Sequence, residues 1–217
     1  MKQPLGKPRN VKADRLRKMR LDAVRQMNRV IPTSERHNYT VKSILKGSII
    51  SFGAETFRVE SLAVYQEGNE KFTKRKDYKA TEFKLFSLDT GEISYVEWEE
   101  DDGEVKMYRT IGEISFHQIK DDEGVGVDED DLDQIVDDED VIFVGGKKFR
   151  YDDDWAAFYS LDGNPDEEKL YLYEFKTADG IYLTVEEWNS GSGEEEYQLW
   201  FSKEIDPMAV EIISLGG

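Results

Sequence analysis

Side chains that could act as a catalytic nucleophile or base are scarce in this sequence. There is no cysteine, and the two histidines are His37 and His117. A Ser-His-Asp triad would need one of these histidines held by a third residue, and no nucleophile-elbow motif occurs. The Ser43-Ile44-Leu45-Lys46 match to a serine–lysine motif fixes only two positions and lies in the wrong structural context. We therefore expect no catalytic residues and a protein that is not an enzyme.

Carboxylates are so abundant that a pair of them indicates nothing without geometry. The chain has 47 Asp and Glu residues against 29 Lys and Arg. The oxygen-rich stretches 128–133 and 162–168 lack the glycine and terminal glutamate that an EF-hand loop requires. Without cysteine there is no thiolate metal site, and Gly124-Val125-Gly126 lacks the third glycine of a dinucleotide fingerprint. We expect neither a metal nor a cofactor.

The tryptophans at positions 98, 188 and 200 lie in segments where apolar and polar residues alternate. Such alternation places one set of side chains on the inner face of a sheet. Core packing is the simplest role for Trp98, Trp188 and Trp200. The alternative is a ligand-facing surface, where aromatic faces bind cations.

The positive charge is concentrated at the start of the chain. Residues 1–40 hold 11 Lys/Arg and 3 Asp/Glu, a net charge of +8, whereas residues 41–217 hold 18 and 44, a net charge of −26. Apolar residues spaced by three or four predict a helix from Val11 to Val30, ended by Pro32. Its stripe consists of Leu16, Met19, Ala23, Met27 and Val30. The candidate partner-binding residues are Arg15, Arg17, Lys18, Arg20, Arg25 and Arg29. The stripe either packs on the body of the protein or docks to a membrane or partner.

After Tyr39 the pattern has the two-residue period of β-strands. Apolar and aromatic runs separated by Gly and Asp turns predict an antiparallel meander. The predicted strands are Ser48–Phe52, Thr56–Tyr65, Phe83–Leu88, Ile93–Trp98 and Val105–Thr110.

The strand pattern then recurs about ninety residues later in the same order. Phe52-Gly53-Ala54-Glu55-Thr56-Phe57-Arg58 matches Val144-Gly145-Gly146-Lys147-Lys148-Phe149-Arg150, and Tyr95-Val96-Glu97-Trp98 matches Val185-Glu186-Glu187-Trp188. We predict an all-β fold of two tandem antiparallel β-meander repeats, stacked as a sandwich or joined in a barrel, behind one basic N-terminal helix. The predicted segments are a basic leader (1–40), repeat 1 (41–118), an acidic linker (119–139) and repeat 2 (140–217).

The repeated strands resemble the bacterial domain of unknown function 4178 family, in two tandem copies. The first copy offers Gly53 with Phe57-Arg58-Val59, then Glu82-Phe83-Lys84-Leu85, Gly91 and Tyr95-Val96-Glu97-Trp98. The second offers Gly145 with Phe149-Arg150, then Leu170-Tyr171-Leu172, Gly180 and Leu199-Trp200. The resemblance covers about 41–118 and 140–205, and Ala80 and Lys169 depart from the pattern. It implies an accessory protein encoded beside membrane-stress, membrane-remodelling or polyamine-related proteins, with no catalytic residues.

Three functions follow as expectations. The first is a non-enzymatic adaptor or scaffold that docks a protein partner, with peripheral contact between the basic helix and an anionic membrane. The second is an acidic mimic of nucleic acid that inhibits a DNA- or RNA-binding protein, and the third is a β-barrel that binds a small cationic ligand. Direct nucleic-acid binding is not expected, because the acidic body repels phosphate. The lack of cysteine, of a secretory signal and of an apolar span favours a cytoplasmic location. The oligomeric state is left open.

Overall fold

The computed structural model describes residues 11–25, 27, 29–189 and 195–216. These residues form two α-helices, α1 (Val11–Arg25) and α2 (Glu129–Asp137), and thirteen strands. The strands are β1 (Arg29–Val30), β2 (Ile49–Phe52), β3 (Glu55–Gly68), β4 (Arg75–Ser87), β5 (Ile93–Asp101), β6 (Glu104–Ile114), β7 (Ile119–Lys120), β8 (Val141–Val144), β9 (Lys147–Leu161), β10 (Glu168–Lys176), β11 (Ile181–Asn189), β12 (Glu195–Ile205) and β13 (Glu211–Leu215).

The chain divides into two compact units. Among the described residues, the first unit lies within Met1–Glu60, Leu85–Ile93 and Met208–Gly217, and the second lies within Ser61–Lys84 and Ser94–Pro207. The boundaries of these units do not coincide with those of the four segments predicted from the sequence. The four segments stay a prediction about how the repeats are organised.

The second unit contains a closed antiparallel barrel. Eight of the described strands follow one another in the order β3-β4-β5-β6-β12-β11-β10-β9. The barrel closes where β9 pairs with β3, from Ala63 opposite Leu161 to Gly68 opposite Ala156. The predicted all-β fold with an N-terminal helix is therefore confirmed, and the barrel is the arrangement adopted. Closure removes the free sheet edges that a five-stranded meander would expose.

An apolar core covers the outer face of β10, β11 and β12. Phe175, Leu183, Val185 and Leu199 are at most 1% exposed and pack with strands β7 and β8 and with helix α2. In α2, Leu132 is 1% exposed and belongs to this core.

The segment 119–139, predicted as an acidic linker, contains strand β7 and helix α2. Helix α2 begins at a reciprocal cap, in which the backbone N–H groups of Asp131 and Asp128 each donate 3.0 Å hydrogen bonds to the other residue's carboxylate. Val127 and Leu132 of this segment are buried, while Asp131, Asp133, Asp137 and Asp138 are exposed. A few apolar residues at helical spacing thus outweigh the mutual repulsion of the acidic ones.

The first unit holds helix α1 and a small antiparallel sheet. Strand β13 pairs with β2, which continues into the β2–β3 hairpin. The rings of Phe52 and Phe57 stack at 4.8 Å within this hairpin. Ala23 of α1 is buried, with 1% of its surface exposed.

The predicted extension of α1 to Val30 is wrong, since the helix ends at Arg25. Arg29 and Val30 form strand β1 instead, opposite Leu215 and Ser214 of β13. The N–H of the buried Ile31 also donates to the carbonyl of Ile213 at 2.9 Å. Burial of Ile31 and pairing with β13 outweigh the local helical periodicity of this segment.

Candidate binding site in the barrel lumen

The two-residue period of the strands decides which side chains enter the lumen. On β5, residues 95, 97, 99 and 101 line lumen cavities, and on β11 residues 182, 184, 186 and 188 do so. A hydrophobic cluster fills the central part of the lumen. Its buried members are Ala63, Tyr65, Ala80, Trp155, Ala157, Leu170 and Leu172. A cavity lies to each side of this cluster along the strands.

The larger cavity, here called the acidic cavity, has a volume of about 700 Å³ and receives residues from all eight barrel strands. Among the described residues, its lining contains eight carboxylates and three lysines, with Tyr78, Tyr108, Trp155 and Tyr182 as aromatic walls. The carboxylates are Glu67, Glu97, Glu99, Asp101, Asp152, Asp153, Asp154 and Glu174. The lysines are Lys76, Lys106 and Lys176. The excess of negative charge suits a positively charged ligand.

The lysines of the acidic cavity contact Glu67, Asp101 and Tyr182 rather than the innermost carboxylates. Lys76 Nζ lies 2.6 Å from Glu67, and Lys106 Nζ lies 3.5 Å from Asp101. Lys176 Nζ lies 4.4 Å from the ring centroid of Tyr182. Glu97 and Glu174 therefore face the lumen without a cationic partner among the described residues.

Hydrogen bonds hold Glu99 and Glu174 in fixed orientations. Tyr78 and Tyr108 both donate to Glu99, the latter at 3.0 Å. Trp155 Nε1 donates to Glu174 at 3.1 Å. Rings and carboxylates thus form one preorganised wall, which lowers the cost of ordering the site on binding.

Burial makes the innermost carboxylates unusually weak acids. Burial, reinforced by the charge of Glu174, raises the pKa of Glu97 well above its ordinary 4.5. Burial likewise raises the pKa of Glu174 to about 7, against the opposing hydrogen bond from Trp155. Crowded carboxylates in a poorly hydrated lumen resist ionising together, and an entering cation would relieve both effects.

The smaller cavity, here called the aromatic cavity, has a volume of about 260 Å³. Its aromatic side chains come from five strands and are Tyr65, Tyr95, Tyr159, Trp188 and Trp200. Two glutamates, Glu82 and Glu186, and one lysine, Lys84, share the lining. The lining has the composition of a site for an organic cation, since it combines ring faces with carboxylates.

The three tryptophans singled out from the sequence are placed differently. Trp188 and Trp200 line the aromatic cavity. Trp98 lines neither lumen cavity, because it has the opposite parity to Glu97 on β5. Its buried Nε1 has no hydrogen-bond partner among the described residues.

The six basic residues predicted to bind a partner also separate. Arg15, Arg17 and Lys18 are exposed on α1. Arg20 donates hydrogen bonds to the backbone carbonyls of Leu88 and Asp89 within the first unit, the second at 2.8 Å.

The last two of these six residues differ in their surroundings. Arg25 lies 3.6 Å from Asp22 on the same helix. Arg29 lies on β1, with its guanidinium 5.9 Å from the ring centroid of Tyr39. The expectation that Arg29 belongs to the helix is therefore wrong.

The lumen-facing glutamates are the functional candidates that sequence reasoning missed. The signal was present in Tyr95, Glu97, Glu99 and Asp101, which alternate along β5 and share one face. Alternation in a strand normally places polar residues toward solvent, so only barrel closure shows that this face is the interior. No group of acidic and histidine side chains within the described residues has the arrangement of a metal site. Of the helices that the structure describes, none has both the length and the apolar character needed to cross a bilayer.

The fold and the lumen define an antiparallel β-barrel protein with an acidic, aromatic interior. The family model described as Domain of unknown function (DUF4178) matches residues 45–207, which include every strand of the barrel. The chain belongs to this family, as the resemblance of its strands predicted. Neither the curated proteins nor the solved structures contain a match to the chain.

Proposed function

We propose that the barrel is a binding protein for a linear organic polycation, such as a polyamine, which occupies the acidic cavity. The observation that carries the proposal is the imbalance of the lining, with eight carboxylates against three lysines among the described residues. Two of these carboxylates, Glu97 and Glu174, face the lumen and have no cationic partner in the part of the chain that the structure describes. A cation that neutralises them gains charge–charge attraction in a region where water screens little.

The aromatic walls favour an organic cation over a compact inorganic one. Tyr78, Trp155 and Tyr182 offer ring faces between the carboxylates. Methylene groups of a polyamine pack against rings, while its ammonium groups reach the carboxylates. A small inorganic ion would leave those apolar surfaces unused.

Titration calorimetry of the whole chain with spermidine tests the proposal. Saturable binding is expected, and Glu97→Gln is expected to weaken it about tenfold, which corresponds to ~1.4 kcal/mol for one lost ionic contact. Glu100→Gln is the matched control, since Glu100 is exposed on the same strand and does not line the cavity. Equal affinities for spermidine and magnesium, after allowance for their charges, would count against a site shaped for an organic cation. Equal losses of spermidine affinity in Glu97→Gln and Glu100→Gln would do the same.

We propose as a second function that helix α1 docks the protein to a partner or an anionic membrane, as an adaptor would. The exposed Arg15, Arg17 and Lys18 support it, together with Leu21 and Val24, which are 48% and 61% exposed on the same helix. Exposed apolar and basic residues on one helix are typical of interfacial segments. Reversing Arg15, Arg17 and Lys18 to Glu should abolish sedimentation with phosphatidylserine vesicles. Unchanged sedimentation would remove the membrane form of this proposal.

We also infer that the barrel consists of two tandem copies of one β unit. Two hairpins support this, because Gly53-Ala54 joins β2 to β3 and Gly145-Gly146 joins β8 to β9 at matched positions. All four of these turn residues have positive φ angles, of 59°, 69°, 57° and 80°. That pattern is typical of the same two-residue hairpin turn in both places.

A further inference from the structure

The aromatic cavity contains ring faces at several angles around a small volume. The ring centroids of Tyr159 and Trp188 lie 5.0 Å apart at 81°, and those of Tyr65 and Tyr159 lie 5.2 Å apart at 67°. Tyr95 and Trp200 lie 6.0 Å apart at 44°. Tilted rings present their electron-rich faces to more than one side of a guest, as a cage does.

The two glutamates of this cavity have different partners. Glu186, 7% exposed, accepts hydrogen bonds from Tyr65 at 3.3 Å and from Trp188 Nε1 at 3.1 Å, with Trp200 as a third donor. Its position is therefore fixed by the cage itself. Glu82 has no hydrogen-bond donor among the described residues, although it lines the same cavity.

We propose that the aromatic cavity is a second ligand site, which binds a methylated ammonium group through its five rings and Glu82. Methyl groups spread the positive charge over a surface that cannot donate strong hydrogen bonds, so ring faces match it better than water or carboxylates alone. The site does not depend on the proposed polycation site, because its lining residues are different.

Lys84 is the internal competitor for this site. Its Nζ lies 5.7 Å from the ring centroid of Tyr95, and it also lines the cavity. The Lys84 ammonium group competes with an external cation and so lowers its apparent affinity. The lysine side chain is flexible, so it can move aside and does not close the site. Lys84→Gln is therefore expected to strengthen binding.

The charge state of Glu82 gives a second readout. Burial, together with the charge of Glu186, raises its pKa to about 8, while Lys84 opposes the shift. The other titratable groups lining this cavity are Glu186, Lys84, Tyr65, Tyr95 and Tyr159. Burial also raises the pKa of Glu186, against the hydrogen bonds that it accepts from Trp188, Trp200 and Tyr65. Burial raises the pKa of Tyr65 and Tyr159 further, the latter to about 12. Glu82 therefore gains negative charge between pH 6 and 9, whereas Glu186 accepts three hydrogen bonds that favour its ionised form.

Calorimetric and tryptophan-fluorescence titration of the whole chain with choline tests the proposal. Choline keeps its charge at every pH, so tighter binding as pH rises from 6 to 9 reports a carboxylate of the cavity rather than the ligand. The expected loss in Glu82→Gln is about tenfold, and the pH dependence should vanish with it. Asp77→Asn is the matched control, because Asp77 is exposed on the same strand and lines neither cavity.

The neutral tert-butyl isostere of choline separates cation recognition from simple apolar burial. Choline is expected to bind at least about tenfold more tightly than this isostere. Equal affinities would overturn the proposal, as would no choline binding in both the wild type and Lys84→Gln. The two sites fail separately, since Glu97→Gln should affect spermidine and leave choline binding unchanged.

Discussion

Trp155 on β9 donates its indole N–H to the carboxylate of Glu174 on β10, across 3.1 Å inside the barrel. The indole is 8% exposed, and the two residues lie on adjacent paired strands. This hydrogen bond favours the ionised carboxylate, while burial opposes it more strongly. The lumen therefore keeps acidic groups whose ionisation is unfavourable in the absence of a cation.

The stability of the fold should fall as pH rises from about 5 to 8. The pKa of Glu174 is raised from 4.5 to about 7, so the folded chain keeps a proton that the unfolded chain has lost in that window. By linkage, the loss for this group alone is at most roughly 3 kcal/mol. Thermal unfolding across this pH range should show a declining Tm.

Glu174→Gln should flatten that decline, because glutamine does not ionise and can still accept the indole hydrogen bond. Glu168→Gln, exposed on the same strand, is the matched control and should leave the slope unchanged. A Tm that rises over this pH range would contradict the role assigned to the buried carboxylates.

Leu132→Ala should destabilise the second unit by about 2–5 kcal/mol. The reason is that the Leu132 side chain of α2 is fully buried against the outer wall of the barrel. Gln134→Ala, on the exposed side of the same helix, should change stability by less than about 0.5 kcal/mol. Urea denaturation measures both values. Similarly small effects in both variants would contradict a structural role for Leu132 in this core.

The two matched hairpins predict substitutions of opposite sign. Ala54 has a φ of 69° and Gly146 a φ of 80° at equivalent turn positions. Ala54→Gly should stabilise the chain by about 1 kcal/mol, and Gly146→Ala should destabilise it by about the same. A Cβ at Gly146 meets no atom within 4 Å, so backbone strain alone is measured by urea unfolding. Effects of the same sign in both hairpins would argue against equivalent turns.

Arg20→Ala should loosen α1, because this arginine ties the helix to the carbonyls of Leu88 and Asp89. Amide hydrogen exchange in α1 is expected to quicken about tenfold for the loss of this charged hydrogen bond. Arg17→Ala, exposed on the same helix, is the control. Equal exchange in the two variants would show that Arg20 does not fasten the helix.

The strands and their turns were readable from the sequence because their signals are local. The alternation in Thr56–Tyr65 and Ile93–Trp98, and the turn at Gly53-Ala54, depend only on neighbouring residues. The predicted strand Phe83–Leu88 was too short, since β4 begins at Arg75. Residues 75–79 are mostly charged and have no apolar stripe, so only pairing across the barrel marks them as a strand.

Tertiary structure decided which face of each strand is the interior. By itself, the sequence determined an antiparallel β protein with a recurring strand pattern and a basic leading helix. Whether Glu97 and Glu82 face water or the lumen depends on the closure between β3 and β9, which joins residues about a hundred positions apart. Burial and the proximity of other carboxylates shift their pKa values only after that closure, because both effects depend on distances through space rather than along the chain.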